Sequence, residues 1–347
     1  MNKAYSYVCH LGDFLSGAAV PRRRQVLING FWRSGTTWVQ ETLEKMLDAR
    51  SVFEPFNYHN SEIYNSPRQF AIKRCLPEFS PPRHDFRFAN PFMPYVSDSF
   101  ERLPETRKAI DAALRGQLVM RMYGDRRKPL SDCFASTVVT KFTRASLCLN
   151  AIARTFEVPI VHVCRDPRAV VTSITRLDGG HFAEDSFNQL SLVEQLLQVD
   201  DGRRRYFQQW QSDIEALENS SVVGRIAAYF CLTERFLEDS FQFDPSRRHR
   251  LVRYEDLVMS QGKAFERLVV DLGLRSSGEL DLDAPSTTDW NNAAAERKSA
   301  LDRIHSWQKR LAPRDQDLIA DIVKTFGMEH RLWHLGGDAA SLSPATP

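Results

Sequence analysis

The strongest constraint on this chain is a strand-like run that ends in a glycine turn and opens directly into a helix. Val26-Leu27-Ile28 is an unbroken apolar run of the kind a strand shows when both its faces are covered. The turn reads Gly30-Phe31-Trp32-Arg33-Ser34-Gly35-Thr36-Thr37. From Thr37 to Leu47, Val39, Leu43, Met46 and Leu47 recur on one helical face. This order brings backbone N–H groups and a helix N-terminus together at the end of a strand, which makes a site for an anion.

The same alternation continues downstream. Ser51-Val52-Phe53 and Thr137-Val138-Val139-Thr140 read as strands, and a helix then turns Leu149, Ile152, Ala153 and Phe156 inward. Ile160-Val161-His162-Val163-Cys164 is the clearest strand, and Leu251-Val252-Arg253-Tyr254 is the last, followed by a helix from Phe265 to Leu272. Strands alternating with helices predict an α/β fold: a P-loop-like three-layer arrangement with a mainly parallel sheet of about five strands, flanked by helices. Ligands of such sheets bind at the carboxyl ends of the strands. Residues 1–20 read as an N-terminal extension, 21–335 as a single domain and 336–347 as a flexible tail. The segment from Cys75 to Phe100 breaks the alternation with five prolines among its aromatics. It reads equally as a loop covering a sheet edge or as a lid over an acceptor.

Charge narrows the partners. Lys and Arg number 46 against 44 Asp and Glu, which argues against nucleic acid or another polyanion. Arginine-rich runs at 22–24, 126–128, 203–205 and 247–250 read as solvated faces. The six cysteines are scattered without metal-ligand spacing, Cys164 and Cys231 reading as small buried hydrophobes, and a reducing, cytoplasmic setting is the simplest. No run approaches the roughly 18 apolar residues of a membrane span, and the N-terminus lacks the apolar core of a signal peptide. Asn219-Ser220-Ser221 has glycosylation spacing, which matters only on a secretory route.

Within the loop, the spacing from Gly30 to Gly35 is that of a P-loop, but Thr36 stands where an ATP-using loop carries lysine. The cation is Arg33 instead, inside the loop, where it can pair with anionic oxygens. The string Arg33-Ser34-Gly35-Thr36-Thr37-Trp38 resembles the 5′-phosphosulfate loop of sulfotransferases that use 3′-phosphoadenosine 5′-phosphosulfate (PAPS). The resemblance implies that Arg33, Thr36 and Thr37 hold the phosphosulfate, with Ser34 and Gly35 completing the loop, and that Trp38 stacks on the adenine. Many members have Lys at the Arg33 position, and Arg is common in the carbohydrate and tyrosylprotein branches.

A second motif follows the clearest strand. In Arg165-Asp166-Pro167-Arg168, Asp166 suits a helix N-cap and Pro167 the first helical position, while Ser173 lies about two turns on. The pattern from Arg165 to Ser173 resembles the family's 3′-phosphate motif. Arg253-Tyr254-Glu255-Asp256-Leu257 is similar to a further family segment whose tyrosine lies near the adenine, and Trp307-Gln308-Lys309-Arg310-Leu311 to its tryptophan-centred C-terminal segment. The late Arg-Lys-Gly of cytosolic members is absent, and Arg297 and Lys298 are the nearest substitutes.

Sulfuryl transfer asks mainly for in-line positioning and for neutralisation of charge on the leaving oxygen. Arg33 and Lys141, at the end of strand 137–140, can supply that charge without a metal. Cytosolic phenol and steroid members carry Lys-Thr-His where this chain has Lys141-Phe142-Thr143, so their histidine base is missing. Phe53-Glu54-Pro55 instead resembles the Phe-Glu-Pro segment of carbohydrate sulfotransferases. Glu54 is therefore the expected base, partly buried and raised in pKa by Phe53 and Phe56, with His59 as the alternative. The acceptor implied is a sugar hydroxyl; a lipid, a phenolic metabolite and peptidyl tyrosine stay open. A P-loop kinase is the rival reading, with Asp166 as its Mg²⁺ ligand, and a non-catalytic nucleotide-binding protein is the third.

Overall fold

The structure, a computed structural model, describes residues 23–54, 93–117, 134–175, 187–278, 280, 282 and 300–332. The expected extension and tail, His59, Arg297, Lys298 and most of the 75–100 segment lie outside the described residues.

Strand β1 (Arg24–Asn29) leads through the glycine turn into α1 (Thr36–Leu47), and β2 (Arg50–Phe53) follows. Helix α2 (Pro104–Leu114) precedes β3 (Thr137–Phe142), after which a 3-10 stretch, Thr143–Cys148, runs into α3 (Leu149–Phe156). Strand β4 (Ile160–Cys164) feeds α4 (Pro167–Thr175). Short helices at Leu192–Leu196, Arg204–Phe207 and Gln211–Glu218 lead to the long α5 (Val222–Ser240). Strand β5 (His249–Arg253) is followed by α6 (Tyr254–Met259) and α7 (Lys263–Asp271), and α8 (Pro313–Thr325) comes after a short helix at Ala300–His305.

The five strands form one parallel sheet in the order β2-β3-β1-β4-β5. From β1 the chain goes to β2 at one edge, returns to β3 between them, and then crosses β1 to β4 and β5 on the other side. The carboxyl end of β1 therefore lies where the winding reverses and a crevice opens. Both faces are covered. Val26 and Ile28 of β1, Val139 of β3 and Val161 and Val163 of β4 pack against α1, α6 and α7. Leu27, Val138 and Ile160 point the other way, into a layer that includes α2, α3 and Leu237 of α5. A third cluster joins α4, α5 and α8 with Phe31 of the turn. Each such side chain contributes about 1.5–3 kcal/mol when fully buried, which is why the strands read as continuous apolar runs.

Two expectations change. The last strand spans 249–253, not 251–254: Arg253 is still extended, and Tyr254 begins α6. Glu255 and Asp256 in the first turn suit the positive end of that helix. The run 203–205 is not all solvated surface either. Arg203 is 0% exposed; its guanidinium pairs with Asp201 and donates to the carbonyls of Gln195 (2.9 Å) and Met93 (2.7 Å). These partners offset the cost of desolvating the charge. Cys164 and Cys231 are buried thiols, as expected, and burial pushes Cys164 up to about 11. Among the described residues, no helix is long and apolar enough to cross a membrane.

Candidate active site

The glycine turn is shaped by close approach. A Cβ on Gly30 would lie 2.5 Å from the Val163 carbonyl oxygen, so only glycine lets the loop leave β1 beside β4. Gly35 takes φ +89°, and a Cβ there would collide with the Tyr254 ring. Arg33 also adopts a left-handed backbone, with φ 64°. Helix α1 starts without a side-chain cap and without an acidic residue in its first turn, so its positive end is left to an incoming anion.

The three motif segments meet around this turn. Arg33 Nε donates to Ser173 Oγ at 2.9 Å, joining the loop to α4. Arg165, at the end of β4, donates from Nη1 to the Arg33 carbonyl at 3.0 Å, and its guanidinium lies 4.4 Å from the centroid of the Tyr254 ring. Asp166 caps α4, accepting the Arg168 N–H at 2.8 Å and pairing with the Arg168 guanidinium. Arg168 in turn lies 4.0 Å over the Trp307 ring, which brings the tryptophan-centred segment to the same place. Trp38 is 6% exposed and packs edge-on against Tyr254 and Phe265. In this conformation the indole supports Tyr254 and presents little open face.

On the other side of the turn stand Lys141 and Glu54, 3% and 5% exposed. Strands β2 and β3 are paired in register, so their ends deliver the two side chains to one spot. Glu54 takes a left-handed φ of 41°, and its backbone N–H donates to the Lys141 carbonyl at 3.0 Å. Both carboxylate oxygens accept the Thr143 N–H, at 3.0 and 3.1 Å. Lys141 Nζ sits 3.4 Å from Glu54 Oε1, donates to Thr37 Oγ1 at 2.8 Å and lies 3.8 Å over the Phe53 ring. Burial lowers the pKa of Lys141 from the ordinary lysine value, against the pull of Glu54.

The sequence reading missed several supporting groups. Arg144, buried beside Glu54, lies 5.4 Å over the Trp32 ring; desolvation lowers its pKa and Glu54 opposes that fall. Asn29, at the end of β1, donates to the Phe142 carbonyl and pairs with His162 at 2.7 Å. His162 meets Glu234 of α5, which meets Arg331 at 3.2 Å. Burial alone would raise the Glu234 carboxyl, but His162 and Arg331 hold it below the ordinary carboxylate range. This polar chain ties the end of β1 and the middle of β4 to α5 and to the segment after α8. Polar residues inside apolar strands, Asn29 and His162, were its one visible signal. Among the described residues, no His, Cys, Asp or Glu side chains gather into a group that could hold a metal.

Residues 25–277 match the model of a sulfotransferase family. Three solved structures resemble the chain at low identity. A sulfotransferase domain from the curacin biosynthetic pathway is 15% identical, with 88% of this chain and 98% of that one covered and a TM-score of 0.39. A sulfotransferase domain from the Synechococcus PCC 7002 olefin synthase is also 15% identical, with 88% and 95% covered and a TM-score of 0.40. Retinol dehydratase, in a complex with retinol and PAP, is 14% identical, with 94% and 88% covered and a TM-score of 0.38. A search of curated proteins finds no match. The family match spans the strand-and-turn site from β1 to beyond α7, and on it the chain belongs to the sulfotransferase family.

Proposed function

We propose that this enzyme moves the sulfuryl group of PAPS in line to a hydroxyl of a carbohydrate acceptor, with Glu54 as general base. The observation that carries the reading is the buried pair of Glu54 and Lys141, 3.4 Å apart, with Lys141 also bonded to Thr37 of the anion-binding turn. Glu54 takes the proton of the acceptor hydroxyl as its oxygen bonds to sulfur. The bond from sulfur to the 5′-phosphate oxygen breaks, and Lys141 and Arg33 neutralise the charge left on PAP. Backbone N–H groups from Ser34 to Thr37 and the Thr36 and Thr37 hydroxyls hold the phosphosulfate. Arg165 and Ser173 take the 3′-phosphate. Tyr254, backed by Trp38, lines the adenine side.

The carbohydrate preference rests on the Phe53-Glu54-Pro55 segment, together with the missing histidine in Lys141-Phe142-Thr143, where cytosolic members carry Lys-Thr-His. Lipid, phenolic and tyrosyl acceptors are the alternatives, and a sugar panel against those three classes with labelled PAPS separates them. The catalytic unit is the single domain 21–335. A cytoplasmic setting fits the buried free thiols Cys148, Cys164 and Cys231.

Arg165→Ala tests the donor site. It is expected to weaken PAP binding by about 1.5–3 kcal/mol, the scale of a charge-assisted contact, measured by calorimetry. Adenosine 5′-phosphosulfate, which lacks the 3′-phosphate, is expected to lose far less; equal losses would remove Arg165 from the site. Charge neutralisation by Arg33, Lys141 and backbone amides also predicts turnover that survives excess EDTA. Activity lost to EDTA and restored by Mg²⁺ would favour the kinase reading.

A further inference from the structure

Behind Arg165 lies a carboxylate with no part in the reaction just described. Glu255, in the first turn of α6, is 0% exposed. Its Oε1 accepts the Asp166 backbone N–H at 3.0 Å, at the junction of β4 and α4. Its Oε2 is buried without a hydrogen-bond partner. The charged and titratable groups that act on it come from the end of β4 and the start of α4: Arg165 attracts its charge, Asp166 repels it, and Cys164 stands close enough to feel it. A buried carboxylate oxygen without a donor is unfavourable unless a cation stands by or a proton arrives. Burial pushes the Glu255 carboxyl up to about 7, with Arg165 restraining the rise. The two protonation states are therefore nearly balanced at neutral pH, and the field of Arg165 is the term a ligand can change.

We propose that Glu255 is a proton-coupled residue of the donor site: buried against the Asp166 N–H next to Arg165, with one oxygen unpartnered, it takes up a proton from solvent when a 3′-phosphate engages that guanidinium. The proposal rests on Arg165 being the 3′-phosphate ligand. A phosphate dianion beside Arg165 cancels the charge that favours ionised Glu255 and adds repulsion of its own. Both effects move the carboxyl toward its neutral form. The neutral acid still offers an oxygen to the Asp166 N–H, so the start of α4 stays anchored while Arg165 turns to the ligand. Because the complex then binds more protons than the free enzyme, PAP affinity falls as pH rises above about 7. The 5′ half of the donor, held at the turn, does not draw on this balance.

Calorimetric titration of the full chain at pH 7.5, in buffers of different ionisation enthalpy, counts the protons exchanged. At that pH the phosphates of PAP are almost fully ionised, their second pKa being about 6. PAP is expected to bring uptake of about 0.5 proton, 5′-AMP none, and Glu255→Gln should abolish the uptake while still binding PAP. PAP binding to the wild type without proton uptake, or uptake that persists in Glu255→Gln, overturns the proposal. If Glu255→Gln does not fold, the wild-type comparison of PAP with 5′-AMP decides alone, equal uptake for both counting against it. PAP binding no tighter than 5′-AMP would instead overturn the 3′-phosphate assignment beneath it.

Discussion

Glu54→Gln is expected to lower turnover by about 10²-fold or more, the scale of a lost general base, with donor affinity near that of the wild type. Glutamine keeps the length of the side chain and one oxygen to accept the Thr143 N–H, which in the wild type lies 3.0 and 3.1 Å from the two carboxylate oxygens. It cannot take the acceptor proton. The proposed phosphate-binding groups Arg33, Arg165 and Ser173 are bonded to one another, so PAP binding measured by calorimetry should hardly move. His59→Ala should cost much less. Near-normal turnover in Glu54→Gln would remove the base. It would also remove the carbohydrate preference, which rests on the same segment.

Lys141→Met is expected to lower turnover by about 10²–10³-fold, as loss of a preorganised charge at a developing anion does. Methionine preserves much of the stem over Phe53 but breaks the bond to Thr37 Oγ1 and the ion pair with Glu54. The wild-type pH profile carries a second signature. Burial lowers the pKa of Lys141, so its charge is present at low pH and is lost as pH rises through a value below that of an ordinary lysine. The alkaline limb of turnover should therefore come early, and Lys141→Arg, which stays charged, should push it higher. Full turnover in Lys141→Met, measured with saturating PAPS, would take the lysine out of the transition state.

What could be read from the chain by itself was local. A buried strand announces itself by consecutive apolar residues, and a tight turn by glycines where a Cβ has no room. Both signals were present from Val26 to Leu47, so the first strand, the turn and its helix were legible. Asp166 and Pro167 likewise marked the start of α4, because capping chemistry acts within a few residues. The parallel sheet followed from alternation. The error at Tyr254 came from the same locality: a β-favouring aromatic after an apolar run reads as strand, while the acidic residues behind it favour a helix start.

Tertiary structure decided whatever depends on distance through space. Register between β2 and β3 set Glu54 against Lys141, 87 positions apart in the chain, and no pattern in either segment states that they meet. Burial was decided the same way. Arg203 reads as one of three consecutive arginines, yet Asp201 and two carbonyls draw it fully inside while Arg204 and Arg205 stay exposed. Glu255 reads as an acidic residue suited to a helix start. Enclosure behind Arg165 and Asp166 is what brings its carboxyl near neutrality. Sequence determines which groups can ionise and which backbone shapes are cheap; the energy of a charge depends on the dielectric and partners around it, and those exist only once distant segments have packed.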